Sequence, residues 1–208
     1  MTVLETRERL LDVALNLIWQ SNYNSVGVNE ICKRAGVTKG SFYHHFESKG
    51  ELFAEATNYY ITSMKPQMDA IMSPTNPPLE QLEQTIAFIM ENKFGKDIDD
   101  IPGCAFLSAG TQCDKSMDQI NDALQSMAHT GICYNTALAR SLADGGYLED
   151  DVDVDKAARI LHQLVQGALI FAKVHRCPKQ VQEDIPEAFY RLLGLKKEYW
   201  YSRQKAAN

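Results

Sequence analysis

The sequence predicts an all-α protein, and two patterns indicate this fold class. Apolar residues recur at the i, i+3, i+4 spacing of a helix face along most of the 208 residues, and no run alternates polar and apolar residues with period two. Ser, Thr, Gly and Pro, which begin and end helices, separate the periodic stretches. We therefore expect about nine helices, with an N-terminal three-helix head over 1–50 and a larger C-terminal helical bundle over 51–208.

Three short helices are predicted in the head. The first covers 2–19, where the apolar residues follow one helix face. The second covers 28–35 and ends at Gly36, a residue suited to the left-handed C-cap position. Thr38 is an N-cap residue, so the third helix covers 39–46. A tight turn between the second and third of three short helices is typical of a helix-turn-helix.

Capping residues and prolines predict where the helices of the bundle begin and end. Ser48 and Glu51 have the spacing of a capping box, which opens a helix toward Met72. Pro66 lies inside that helix and is expected to kink or divide it. Pro186 is expected in the first turn of the last helix, because a proline deeper in a helix removes a hydrogen bond. The other helices are predicted over 79–94, 104–113, 116–143, 154–175 and 184–193.

The composition is that of a globular protein, with 45% hydrophobic and 23% charged residues. The net charge of −6 argues against a protein that wraps nucleic acid over its whole surface, although it permits a small basic patch. The segment 28–50 holds four basic and two acidic residues, a local charge of +2. The rest of the chain therefore carries −8, so this segment alone is expected to attract phosphate.

Hydropathy and cysteine usage predict a soluble, cytoplasmic protein. No apolar run approaches the roughly 20 residues that a transmembrane helix needs, so no membrane partner is expected. The N-terminus lacks the basic and then apolar segments of a secretory signal. Five widely spaced cysteines without a CxxC pair fit a reducing compartment better than a disulfide scaffold or a zinc site. We expect no metal and no cofactor.

The third predicted helix has the chemistry of a DNA-reading helix. Phe42 and Phe46, four residues apart, are suited to anchor it, while most of its other side chains are polar. Gly40 allows close backbone approach, and Lys, Tyr and His side chains reach phosphates or base edges. His44 and His45 are adjacent and point in different directions, which favours DNA contact over metal binding. An ordinary helical hairpin is the alternative interpretation.

The segment 31–49 resembles the DNA-binding head of the TetR (tetracycline-repressor) family of transcriptional regulators. It reads ICKRAGVTKGSFYHHFESK and is followed by Leu52 and Phe53. The family usually has Thr or Ser as the cap of the second helix, where this chain has Val26, Gly27 and Val28. The resemblance implies DNA contacts, mostly to phosphates, from Thr38, Lys39, Gly40, Ser41, Tyr43, His44, His45 and Lys49.

The same resemblance implies a dimeric repressor and not an enzyme. Two heads are expected to bind pseudopalindromic double-stranded operator DNA until a small-molecule effector in the helical body releases it. Activation in place of repression stays open. A helical enzyme is the alternative from another class, although the chain lacks a Gly-rich phosphate loop and a nucleophile beside an evident base. The two C-terminal helices form the dimer interface in the family, and the candidate residues are Leu161, Ala168, Ala172, Phe189 and Leu192.

Two further features of the body concern the effector. Its methionines and aromatic residues are suited to an adaptable apolar pocket, although at helical spacing they are also plain core residues. Oxidation or electrophilic modification of Cys104 is an alternative switch, because Gly103 and Cys104 look like a Gly-Cys motif of a family subset with such sensors. Cys113 would be the resolving thiol, and a buried small residue is the other interpretation. The pocket candidates are Tyr60, Met64, Phe88, Phe106 and Met127.

Overall fold

The computed structural model describes residues 3–20, 27–94, 118–176 and 178–201. These residues form eight α-helices and one short 3-10 turn, with a single antiparallel bridge between Leu148 and Leu195 as their only β pairing. The predicted all-α class is therefore confirmed. The helix predicted over 104–113 lies outside the described residues. The helices are α1 (Val3–Gln20), α2 (Val28–Ala35), α3 (Lys39–His45), α4 (Lys49–Ile71), α5 (Pro78–Lys93), α6 (Asp118–Asp144), α7 (Val154–His175) and α8 (Pro178–Leu192).

The chain divides into two compact units. The first unit contains the described residues of 1–64 and 104–127, and the second contains those of 65–103 and 128–208. Helix α4 passes from the first unit into the second after Met64, and α6 does so after Met127. None of the described helices has the length and hydropathy needed to cross a membrane. The expected division at residue 50 into a DNA-binding and an effector-binding part concerns function and stays a prediction.

The core of the first unit is built from the apolar faces of its short helices. Phe42 of α3 and Phe46, which ends α3, are 0% and 1% exposed. Burial of two phenylalanines supplies several kcal/mol at about 25 cal/mol per Å² of apolar surface, which a helix of seven residues could not obtain from its backbone. The other buried side chains of this core are Leu10, Leu11, Ala14, Leu17, Ile31, Ala35, Leu52, Phe53 and Ala56.

The turn between α2 and α3 has the predicted chemistry. Gly36 adopts the left-handed conformation with φ 63° and ψ 37°, and its N–H donates to the carbonyls of Cys32 and Lys33. Thr38 is the N-cap of α3, and its Oγ1 accepts a hydrogen bond of 3.1 Å from the Ser41 N–H. The local signals at Gly36 and Thr38 therefore set the bounds of both helices.

The second unit has a core formed by α5, α7 and α8. Leu82, Leu161 and Phe189, one from each helix, are fully buried. Tyr190 is also buried, and its hydroxyl donates to the Glu83 carboxylate at 2.8 Å. Burial, and then this hydrogen bond, raise the pKa of Tyr190 well above its usual value. The phenol is therefore a permanent donor that ties α8 to α5.

Two helices continue through a proline, and for Pro186 the expected position in the first turn is wrong. Helix α4 is one continuous helix across Pro66, so the proline does not divide it, and the expected kink stays a prediction. The last helix begins at Pro178, six residues before its expected start, and Pro186 lies in its interior. Val181, Ile185 and Phe189 lie on one helical face across Pro186, and all three are buried. Their burial offsets the hydrogen bond that the proline removes.

Gly36→Ala should destabilise the first unit by about 1 kcal/mol or more. The positive φ strains any L side chain, and a Cβ at this position would lie 3.2 Å from Nη2 of Arg9. Urea unfolding monitored by circular dichroism measures the change. Gly167→Ala in α7 is the matched control, because nothing lies within 4 Å of the new Cβ and alanine is the better helix former. A destabilisation of the same size in both variants would contradict the strain argument.

Candidate nucleic-acid interface

Helix α3 separates its side chains into an outer and an inner face. The outer face consists of Lys39, Gly40, Tyr43 and His44, all exposed. The inner face contains Phe42, which packs edge-to-face against Tyr43 with ring centroids 5.1 Å apart. Tyr43 itself is 55% exposed, an unusual position for a large aromatic side chain. The outer face therefore offers a cation, a phenol and an imidazole, with a gap over Gly40 where a backbone can come close.

The other predicted DNA contacts occupy different positions. Thr38 is exposed, and its hydroxyl oxygen already caps α3. Its O–H group can still donate a hydrogen bond. Ser41 and His45 are half-buried toward the inner side of α3, and Lys49 is half-buried at the start of α4. Burial lowers the pKa of Lys49. The eight residues thus lie near one another in the first unit, with the outer face of α3 as their most exposed part.

His45 differs electrostatically from its neighbour His44. Burial lowers the pKa of His45, and the positive charges of His44 and Arg7 lower it further. A His pKa below its usual value near 6.5 leaves the ring neutral at pH 7. His45 can therefore donate one hydrogen bond and accept another, but it adds no charge to the interface at neutral pH.

The caps of α2 and α4 complete the local architecture of the head. Gly27 is the N-cap of α2 and offers no side-chain hydrogen bond, as its position in the sequence indicated. At the start of α4, Ser48 Oγ accepts from the Glu51 N–H at 3.0 Å. The Glu51 carboxylate accepts from the N–H of Glu47 at 2.5 Å, one residue earlier than in a standard capping box. The predicted cap of α4 is therefore present with a shifted return bond.

Two arginines of α1 contribute contacts that the sequence did not reveal. Arg9 donates to the carbonyl of Ala35, at the end of α2. Arg7 forms an ion pair with Glu55 of α4, and its guanidinium lies 5.6 Å from the centroid of the Phe46 ring. These partners lie 26 and 48 residues away along the chain, so no helical spacing could have indicated them.

Three comparisons identify the relatives of this chain. A profile of the family described as "Bacterial regulatory proteins, tetR family" matches residues 10–56. The HTH-type transcriptional regulator AcrR of Shigella flexneri is 51% identical over 51 residues, which are 24% of each chain. The transcriptional regulator AcuR of Cereibacter sphaeroides is 28% identical over 188 residues, covering 90% of this chain and 83% of AcuR. The crystal structure of the regulatory protein TetR from Rhodobacter sphaeroides has a TM-score of 0.78 at 27% identity, over 89% of this chain and 97% of that one.

The chain is similar to TetR-family regulators over residues 10–56 and beyond, and these findings support a TetR-family regulator. It is a DNA-binding transcriptional regulator with an all-α body, and its relatives are transcriptional regulators as well. The segment shared with the family profile includes all of α2 and α3 and the start of α4. The outer face of α3 therefore lies within the segment that matches the family profile.

The candidate pocket residues belong to both units. Tyr60, Met64 and Met127 are half-buried in the first unit, and Phe88 is buried in the second. Phe106 lies outside the described residues. The pocket that these residues would line stays a prediction.

The candidate thiols Cys104 and Cys113 also lie outside the described residues. Of the thiols that the structure describes, Cys32 is buried, and burial raises the pKa of its thiol. Cys133 is exposed, with its sulfur 3.5 Å from His129 Nε2. Cys32 is therefore a core residue of the TetR-family head and not a reactive thiol.

The candidate dimer residues require a correction. Leu161, Ala172 and Phe189 are 0% exposed because they form the core of their own protomer, so they offer no surface to a partner. Ala168 and Leu192 are half-buried. Helix α7 has apolar residues on both faces, and periodicity alone did not distinguish the core face from the outer one. The exposed apolar residues of α7 are Ile170, Phe171 and Val174.

Gly40→Ala should separate folding from DNA binding. The new Cβ would lie 3.7 Å from Thr38 Oγ1, an ordinary contact, so alanine should stabilise α3 by about 0.5–1 kcal/mol. The same methyl group projects from the outer face and should lower DNA affinity by keeping the backbone away from the duplex. Urea unfolding and fluorescence anisotropy measure the two effects. An affinity equal to that of the parent would mean that DNA does not approach Gly40.

Proposed function

We propose that this TetR-family regulator is a homodimeric repressor that reads pseudopalindromic operator DNA with the outer face of α3. A small-molecule effector bound in the second unit releases the DNA. The observation that carries the proposal is the division of α3, in which Phe42 and Phe46 are fully buried and Lys39, Gly40, Tyr43 and His44 are exposed. A seven-residue helix with this division serves to present its outer side chains.

The charges of the head support a phosphate contact at Lys39. Arg34 is paired with Glu30 at 2.6 Å along α2. Among the described residues, no carboxylate lies within ion-pair distance of Lys39. A lysine without a carboxylate partner on an exposed face retains its full attraction for a DNA phosphate. Lys39 is therefore the strongest candidate for an electrostatic contact on α3.

The exposed apolar face of α7 supports dimerisation. Ile170, Phe171 and Val174 are 50%, 46% and 71% exposed, and Phe171 stacks on His175 with ring centroids 4.1 Å apart. Large apolar side chains clustered on one helix face are commonly covered by a partner. A two-fold dimer formed through this face would present two heads to two half-sites about 34–36 Å or a multiple apart.

Unpaired polar atoms in the second unit support an effector with hydrogen-bonding groups. Oγ1 of Thr85 and Oε1 of Gln166 are buried and have no hydrogen-bond partner among the residues that the structure describes. His162 lies one turn before Gln166, and burial lowers its pKa, so its ring is neutral at pH 7. Each buried unpaired polar atom costs roughly 1–3 kcal/mol, which a ligand that completes its hydrogen bonds would recover. The chemistry favours a polar or amphipathic effector over a pure hydrocarbon.

Lys39→Ala should lower affinity for the regulator's own upstream DNA and flatten its salt dependence. Loss of one phosphate contact reduces the slope of log K against log salt by about 0.9. Fluorescence anisotropy at several salt concentrations measures both quantities. Tyr43→Ala should lower affinity with little change in slope, because a phenol carries no charge at neutral pH. Lys65→Ala, which removes an exposed lysine of α4 in the second unit, is the matched control.

One result would contradict the assignment of α3 as the reading helix. In that case Lys39→Ala and Tyr43→Ala both bind DNA as the parent does, and Lys65→Ala also has no effect. DNA binding would have to occur through another surface of the head.

Val174→Glu should convert the dimer into a monomer, because a carboxylate at a covered apolar position carries a large desolvation cost. Size-exclusion chromatography with light scattering measures the mass. DNA affinity should fall together with the mass, because a monomer binds one half-site through a single head. Ala143→Glu, at an exposed residue near the end of α6, is the matched control and should remain dimeric. A dimeric Val174→Glu variant would place the interface elsewhere.

A further inference from the structure

One side chain of α1 contacts both α4 and the residue that ends α3. The guanidinium of Arg7 forms an ion pair with the Glu55 carboxylate in the second turn of α4. The same guanidinium lies 5.6 Å from the centroid of the Phe46 ring, within the range of a cation–π contact. Phe46 is the C-cap of α3, and its N–H donates to the Phe42 carbonyl at 2.9 Å. Arg7 therefore touches the end of the reading helix and the beginning of α4 together.

The opposite end of α3 is also held from α1. Arg9 donates to the Ala35 carbonyl, directly before the turn that leads into α3, and its Nη2 would lie 3.2 Å from a Cβ on Gly36. The two arginines lie two residues apart on α1, and the helix between their contacts is only seven residues long. Helix α1 thus fixes α3 before its first turn and after its last.

The charge of Arg7 alone suggests a different role. A cation in a DNA-binding head is an obvious candidate for a phosphate contact. In this head, however, the guanidinium is engaged with Glu55 and lies over the Phe46 ring, and 43% of its side chain is exposed. Its contacts are those of a residue that holds other elements in place, since both of its partners belong to the first unit.

We propose that Arg7 is a positioning residue for DNA binding, which sets the orientation of α3 relative to α4 through Phe46 and Glu55. The proposal rests on the proposed role of α3 as the reading helix. Arg7 acts through the placement of Lys39 and Tyr43 and makes no contact with DNA. Because α4 continues beyond the first unit after Met64, the Arg7 contacts join the reading helix to a helix that both units share.

Removal of Glu55 distinguishes a positioning role of Arg7 from a purely electrostatic one, because the two roles predict changes in DNA affinity of opposite sign. Deleting a carboxylate makes the head more positive, so electrostatics alone would raise DNA affinity. If Arg7 must be held by Glu55 to position α3, Glu55→Ala lowers affinity instead. We expect Glu55→Ala and Arg7→Ala each to weaken binding by about three- to tenfold, the size of one partly exposed ion pair with a cation–π contact.

The experiment measures anisotropy with the regulator's own upstream DNA, across a salt series, for Arg7→Ala, Glu55→Ala, the double variant and Arg7→Lys. The slope against salt should change by the same amount in Arg7→Ala and Glu55→Ala, because both substitutions displace the same helix and with it Lys39. The double variant should bind DNA no more weakly than Arg7→Ala alone, because both substitutions remove the same ion pair. Arg7→Lys keeps the charge over Phe46 and should recover part of the affinity.

Glu30→Ala is the matched control for Glu55→Ala. Glu30 also pairs with an arginine, but its partner Arg34 lies in the same helix, and the pair is similarly exposed at 45% and 47%. Loss of this carboxylate should leave DNA affinity unchanged or raise it. Stoichiometric titration with DNA in excess of the dissociation constant gives the active fraction of every variant, so a loss caused by unfolding is separated from a loss of affinity.

Three results would overturn the proposal. The first is tighter DNA binding by Glu55→Ala. The second is a salt slope that is flattened in Arg7→Ala and unchanged in Glu55→Ala, which would make Arg7 itself a phosphate contact. The third is an affinity loss that disappears after correction for the active fraction. Failure of the reading-helix assignment is distinct from all three, because Lys39→Ala and Tyr43→Ala would then leave binding unchanged.

Discussion

The burial of Phe42 and Phe46 is the constraint on which the DNA-binding head depends. A seven-residue helix is not stable in water by itself, because the cost of nucleating a helix exceeds the gain from so few backbone hydrogen bonds. The two phenylalanines supply the missing stability through the core of the first unit, where they are 0% and 1% exposed. Since all of the packing occurs on one side, the other side of α3 is left for residues chosen by function. Tyr43 can therefore remain 55% exposed, because Phe42 and Phe46 already anchor α3.

Much of this arrangement was readable from the sequence because its signals are local. Gly36 and Thr38 act within their own turn, through a positive φ and a single hydrogen bond to the Ser41 N–H, so residue identity alone indicates the ends of α2 and α3. The contacts of Arg7 were not readable, since they join segments 48 residues apart. Pro186 shows a second limit. The cost of a proline inside a helix is a local property, but the burial that offsets this cost is a property of the whole second unit.

The dimer residues show a third limit. Periodicity predicts where a helix lies, but it does not predict which of two apolar faces is buried. Helix α7 was placed correctly between residues 154 and 175, yet its two apolar faces are indistinguishable by period. Leu161 and Ala172 belong to the core, and Val174 belongs to the outside. Charge was harder still to interpret, because acidic residues are also structural. Asp153 caps α7 by accepting from the Lys156 N–H, and Asp155 in the first turn of α7 pairs with Arg140 at 3.0 Å. The negative balance of the chain therefore includes carboxylates that hold helices in place.

A reading helix held by tertiary contacts is also a helix that can be regulated. An effector changes DNA affinity only if it binds the DNA-competent and DNA-free conformations with different affinities, and the coupling is typically about 1–3 kcal/mol. Contacts of the kind that Arg7 makes with Glu55 and Phe46 are each worth no more than about 1 kcal/mol at a partly exposed site. The free energy of a few such contacts is therefore of the same size as a typical allosteric coupling. A reading helix that was stable without tertiary contacts would hold its orientation more firmly, but changes in α4 would then not alter that orientation.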